Sequence, residues 1–332
     1  MNRCALLLLL IAAAAVAHPP IVPKNSAKPI GPYSPGLDAG NFIYASGQSA
    51  RDAAGKLPEG AAAQARQCLS NVKDILETGG VTMRHVVALQ MYLADLSTLP
   101  EVEKTYQEFF PEDAPARVVV GSVRMPFTSP IEITAVAVKD LSRKRVTEEG
   151  VWAGERLYLN AIAAPTLLAA QKALYAALGK AGLSRRSVVF QNTYTTGRAS
   201  EMEIKVTALP GGAKSALFAV AAKKPGEVMG SGCREDSGTL FCEVRAASGQ
   251  GTVEDQTKEL FEKLKARLDA HGFKLNDIAA ANVWMNNLDE FQRMNAVYAT
   301  YFTAAPPSRT TLQPAAASPA APAIRLSVVA VH

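Results

Sequence analysis

Apolar residues between positions 61 and 78 recur at helical spacing. Ala65, Leu69, Val72, Ile75 and Leu76 fall on one face, and Gly79 and Gly80 supply a C-terminal stop. The spacing predicts a helix over Ala61–Thr78. A second helical pattern covers Leu99–Phe110. Shorter apolar runs at Phe42–Ser46, Val86–Leu93, Val118–Val123 and Ile131–Val138 read as strands. Ahead of them, Gly31 to Gly36 form a Gly/Pro turn cluster. The order is β-α-β-α-β-β, which predicts an α+β unit with helices on one face of a mixed sheet.

The same pattern returns further along. Residues 64–117 align with 256–309 without a gap, with ten of 54 positions identical, among them Gly80/Gly272, Tyr106/Tyr298, Phe110/Phe302, Pro115/Pro307 and Arg117/Arg309. The shared order of helix, Gly turn, strand, helix and Pro-x-Arg marks an internal repeat. A third, worn copy lies between the two. Gly182 follows a helix carrying Leu168, Leu174 and Leu178, and Val188–Thr195 reads as the next strand. This copy runs directly into strand-like Glu203–Ala208, with no room for a second helix. The chain thus divides into units at 28–142, 145–223 and 226–332. Each is small enough to need its neighbours for a stable core.

Composition narrows the functional classes. A net charge of +5 is spread thinly, without a Lys/Arg run that would track nucleic acid. Arg3 precedes an apolar run from Ala5 to Ala17 that closes on Ala15-Val16-Ala17, the pattern of a cleavable signal peptide over 1–17. A membrane anchor is the alternative, for which the run is short. Cleavage after Ala17 would place the protein in the periplasm or outside the cell, with 18–27 as a linker. Cys233 and Cys242 flank a turn-rich stretch and are either a disulfide or two free thiols. Cys68 reads as a small core residue. His18, His85, His271 and His332 are scattered, and no metal-ligand cluster is evident.

One pair carries candidate chemistry. Arg117 opens a Val-rich strand after Pro115 and Ala116, and Glu132 stands between Ile131 and Ile133. Alternation sends the isoleucines to one face and Glu132 to the other. If the two strands pair, Arg117 offers a fork to a carboxylate and Glu132 a base for a water. A structural ion pair is the competing reading.

Ile30 to Ser34, Gly40 to Gln48, Pro115 to Arg117 and Ile131 to Ile133 together resemble the Rid (YjgF, endoribonuclease L-PSP) family, whose best-known members are RidA-type 2-iminobutanoate/2-iminopropanoate deaminases. The resemblance covers about residues 28–140. It implies a chorismate-mutase-like fold and a homotrimer whose sheets form a central barrel, helices outside, with clefts between subunits. The three units then resemble such a trimer fused into one monomeric chain. By the same resemblance Arg117 holds the substrate carboxylate, Glu132 activates water, Tyr33 lines the pocket and backbone near Gly31 completes it. No cofactor or metal is implied.

The chain also departs from the family pattern. Val119 and Gly121 replace the family's Cys and Glu. In the third unit Arg309 is kept as a second anion site, but Arg325 takes the place of Glu132. In the second unit Glu201 and Ala216 fall at the Arg and Glu positions, leaving scaffold. The leading expectation is a deaminase of small 2-imino acids at the first unit. The alternatives are a carboxylate-binding protein without turnover, a ribonuclease, and an interaction scaffold with the Ala/Pro-rich 314–323 as a loop.

Overall fold

The computed structural model describes residues 18–122, 124–200, 202–226, 232–246, 250–302, 305–315 and 322–332. The expected signal segment 1–17, Glu201 and most of the Ala/Pro-rich stretch lie outside them. The first unit runs β1 (Pro20–Ile21), β2 (Gly36–Ala39), β3 (Phe42–Ser49), α1 (Ala61–Thr78), β4 (Val86–Leu93), α2 (Leu99–Phe109), β5 (Ala116–Gly121) and β6 (Ile131–Val138). Its sheet has the order β1-β2-β3-β6-β4-β5. The helical stripe of α1 is buried against this sheet, and each large aliphatic side chain on it stabilises the unit by about 1.5–3 kcal/mol.

The second unit comprises β7 (Lys144–Val146), β8 (Gly150–Ala153), β9 (Arg156–Leu159), β10 (Ile162–Ala164), α3 (Leu167–Lys180), β11 (Val188–Thr195), β12 (Ile204–Lys205) and β13 (Ser215–Ala222). Among the described residues no helix joins β11 to β12. The third has β14 (Cys233–Asp236), β15 (Thr239–Arg245), α4 (Val253–Ala270), β16 (Ile278–Met285), α5 (Phe291–Tyr301), β17 (Ser308–Leu312) and β18 (Ile324–Val331). Cys233 and Cys242 stand opposite each other on β14 and β15 and are joined by a disulfide. The strand orders β3-β6-β4-β5, β9-β13-β11-β12 and β15-β18-β16-β17 are equivalent.

Four cores hold this α+β architecture together. Three lie between a sheet and its own helices. The fourth joins the inner faces of all three sheets, with Tyr44, Tyr92 and Val118 from the first, Tyr158, Tyr194 and Phe218 from the second, and Phe241, Trp284 and Leu312 from the third. Tyr92 and Tyr194 both pack edge-on against Trp284, with ring centroids 6.0 and 6.3 Å apart. At Arg156 the three units meet. Its Nε donates to Asp236 of the third unit at 2.8 Å, and its guanidinium lies over Phe42 of the first and Phe241 of the third.

One expected pairing is not formed. β5 does not pair with β6; β4 lies between them, parallel to β5 and antiparallel to β6. The cause is the β4-α2-β5 crossover, which returns the chain beside β4 in the same direction. In the second unit the strand expected over Glu203–Ala208 shortens to Ile204–Lys205, which pairs with Tyr194 and Thr195, and Lys205 O accepts from Ala315 N at 2.8 Å.

Candidate functional site

The edge strand β17 of the third sheet approaches β3 of the first, past the Phe42–Ala45 stretch that β2 covers. Ser34 N donates to Pro307 O at 3.1 Å, Arg309 N donates to Ser46 Oγ at 2.8 Å, and Ser34 bridges Ser308. This seam carries a cleft of about 660 Å³ lined by Ile30, Tyr33, Gln48, Arg51, Phe127 and Glu132 of the first unit and by Phe291, Arg309 and Thr311 of the third. Two glycines allow the close approach. A Cβ at Gly47 would overlap the Glu132 carboxylate, and one at Gly31 would sit 2.7 Å from Arg309 Nη2 and 2.8 Å from Asn295 Nδ2.

Arg309 is 4% exposed, and neither Nη1 nor Nη2 has a hydrogen-bond partner. Its guanidinium is held instead by rings: Tyr298 at 4.7 Å, Tyr33 at 5.3 Å and Phe291 at 5.5 Å from their centroids. A buried, charged donor left unpaired is costly and asks for an anion. Glu132 is equally buried, at 5% exposure. Desolvation pushes its carboxyl up to about 8, against the opposing pull of Arg309. Burial also raises the Tyr33 hydroxyl, again opposed by Arg309. The side chains of Asn295 and Thr311 add buried polar atoms without partners: both amide atoms of Asn295 and Thr311 Oγ1. The cleft thus pairs a fixed cation with a carboxyl that holds its proton near neutrality, among unmet donors and acceptors.

The structure brings Tyr33, Gly31 and Glu132 together as the sequence grouped them, but their cation is Arg309 rather than Arg117. Arg117 lies on the helix side of its sheet, because Ala116, Val118 and Val120 fill the inner face. Ile131 and Ile133 pack on the helix side too, so Glu132 points the other way. Arg117 is spent on Glu103, 2.8 Å away, and lies 4.1 Å over the Tyr106 ring. Arg309, expected as a separate second anion site, lines the same cleft as Tyr33 and Glu132. Arg325 bonds Glu243 at 2.6 Å and the carbonyls of Met202 and Glu203. Ala216 opposes Tyr194 as Glu132 opposes Tyr92. Sequence reading missed Asn295 and Thr311. Their signal was the repeat itself, which sets Asn295 opposite Glu103 and Thr311 opposite Val119.

The endoribonuclease L-PSP family model matches residues 23–139 and again 237–331. A 2-iminobutanoate/2-iminopropanoate deaminase of Escherichia coli is 41% identical over 123 residues, covering 36% of this chain and 96% of the enzyme. A RutC family protein of Pyrococcus horikoshii is 40% identical over 122 residues, 36% of this chain and 97% of that protein. Among solved structures, the YjgF gene product of E. coli is similar at 39% identity, covering 37% of this chain and 99% of its own, with a TM-score of 0.36.

Proposed function

The chain belongs to the endoribonuclease L-PSP family, with Rid, RutC and YjgF relatives, and from that premise we propose that it hydrolyses small 2-imino acids and their enamines at the cleft between its first and third units. The observation that carries the reading is the buried Arg309 guanidinium, whose Nη1 and Nη2 have no partner among the described residues, in the cleft with Glu132 and Tyr33. Arg309 binds the substrate carboxylate through its planar fork. Glu132, protonated in the empty site, gives its proton to the imine nitrogen, or to C3 of an enamine, and forms an iminium. Its carboxylate then takes a proton from a water as the water oxygen bonds to C2. The proton passes to the nitrogen, the C–N bond breaks as the C2 hydroxyl returns its proton to the Glu132 carboxylate, and ammonia and a 2-oxo acid leave. Tyr33 and Asn295 hold the carboxylate end. Water is the only co-reactant.

Ammonia release from 2-aminoacrylate, generated by a serine dehydratase, tests this directly. Wild type should accelerate release. Glu132→Gln and Arg309→Ala should each lose at least about 100-fold, the scale of a general acid–base group. Arg117→Ala should stay close to wild type. No acceleration by wild type would remove the deaminase reading. Carboxylate binding without turnover is the second reading, favoured by the same unpaired Arg309. It predicts that Glu132→Gln keeps its affinity for a 2-oxo acid while there is no wild-type turnover to lose.

A further inference from the structure

The cleft is large, with both polar and apolar lining. Its volume of about 660 Å³ falls among pockets that enclose drug-sized ligands, about 300–1,000 Å³. The polar lining includes Arg309, Glu132, Tyr33 and Thr311. Apolar side chains of Ile30, Pro126, Phe127 and Phe291 line the same cleft; Phe291 lies against Arg309, while Phe127 sits on the loop tied to Arg51. Phe127 is 54% exposed and Ile30 40%, two of seven large hydrophobic side chains left in solvent among the described residues. Both face this one cleft.

Phe127 is held there at a cost. Phe127 and the following Thr128 both adopt left-handed backbone, at φ 55° and 53°. Such a conformation disfavours side chains larger than glycine, and strained residues gather where a ligand is met. Arg51 secures the loop. Its Nη2 donates to Phe127 O at 3.0 Å and its Nη1 to Gly55 O at 2.9 Å, joining two rim loops. Phe127 also walls off a neighbouring groove of about 240 Å³ that runs past Arg124, Leu288 and Gln292. An exposed aromatic side chain on a strained backbone that a guanidinium secures is a contact surface for an apolar group.

We propose that the substrate is a 2-imino acid or enamine with a large apolar side chain, an aryl group above all, whose carboxylate sits on Arg309 while the side chain packs on Phe127 and Ile30. The proposal rests on the deaminase reading and names its substrate class. The reaction that supplies it is a two-electron oxidation of an aromatic amino acid by an acceptor such as dioxygen, or loss of a β-hydroxyl from a β-aryl serine, either of which leaves a C=N bond or its enamine at C2. Phe127 acts as a specificity residue, and Arg51 positions it.

A D-amino-acid oxidase with catalase makes the planar imino acids of phenylalanine and of alanine, and semicarbazide trapping follows their decay. Wild type should show a kcat/KM ratio, phenyl over methyl, of about 10 or more, the scale of apolar discrimination in a pocket. In Phe127→Ala and Arg51→Ala the ratio should fall toward one, with melting temperatures checked to show that both fold. A wild-type ratio near or below one, with the alanine imine hydrolysed, overturns the aryl proposal and leaves the deaminase reading standing. A high ratio untouched in Phe127→Ala overturns the assignment to this residue. If neither imine is hydrolysed, the deaminase reading fails and the substrate class falls with it.

Discussion

Glu132 shows what a single residue must give up to act. Its carboxyl is held near 8 by burial, against an ordinary value of 4.5. The folded state therefore holds a proton that the unfolded chain releases. The group favours the fold fully below about pH 4.5, and that contribution is lost as pH rises through 8. Two outcomes follow. Glu132→Gln should melt higher than wild type at pH 8.5, by about 2–4 °C per kcal/mol of relieved desolvation, and near wild type at pH 4.5, as calorimetry at both pH values would show. The kcat/KM of wild type should fall above pH 8 as the free enzyme loses the proton that Glu132 delivers. A flat profile to pH 9.5 would reassign the acid.

At the scale of elements, α2 and α5 are repeats of each other that have parted in function. Each sends a side chain to the arginine of the following strand. From α2 it is Glu103, which neutralises Arg117; from α5 it is Asn295, which leaves Arg309 free. On the proposed reading, that one charge on a helix decides which arginine is open to an anion. Titration calorimetry with 2-oxobutanoate should give one site per chain, lost in Arg309→Ala and kept in Arg117→Ala. Periodicity made much of this legible: Ala61–Thr78, Val86–Leu93 and Ile131–Val138 form with the bounds their apolar patterns predict. The face that Glu132 occupies was readable too, from Ile131 and Ile133. Its partner was not, because alternation says which way a side chain points and nothing of which strand edge waits there. The β4-α2-β5 crossover, with β4 left between β5 and β6, and the meeting of β17 with β3 belong to tertiary packing.

Across the whole molecule, three unlike units close on a shared core, and the closure depends on a charged contact. Arg156 and Asp236 are 5% and 3% exposed, and the pair ties the second unit to the third beneath a ring of the first. Removing one partner strands a buried charge. Asp236→Ala should cost about 3–5 kcal/mol by denaturant titration, while replacing both residues with apolar ones of similar size should restore much of it. Divergence of the copies is what permits this pair: in a trimer of identical chains each of its residues would recur three times around the axis.

The cleft at the seam between β3 and β17 joins Tyr33 to Arg309, which is synthesised well after it. A growing chain therefore carries the acid long before it carries the clamp. A proteolytic cut that frees the third unit would part Glu132 from Arg309 and, on the proposed reading, abolish binding. On the proposed reading, the cleft binds only when the third unit is docked against the first.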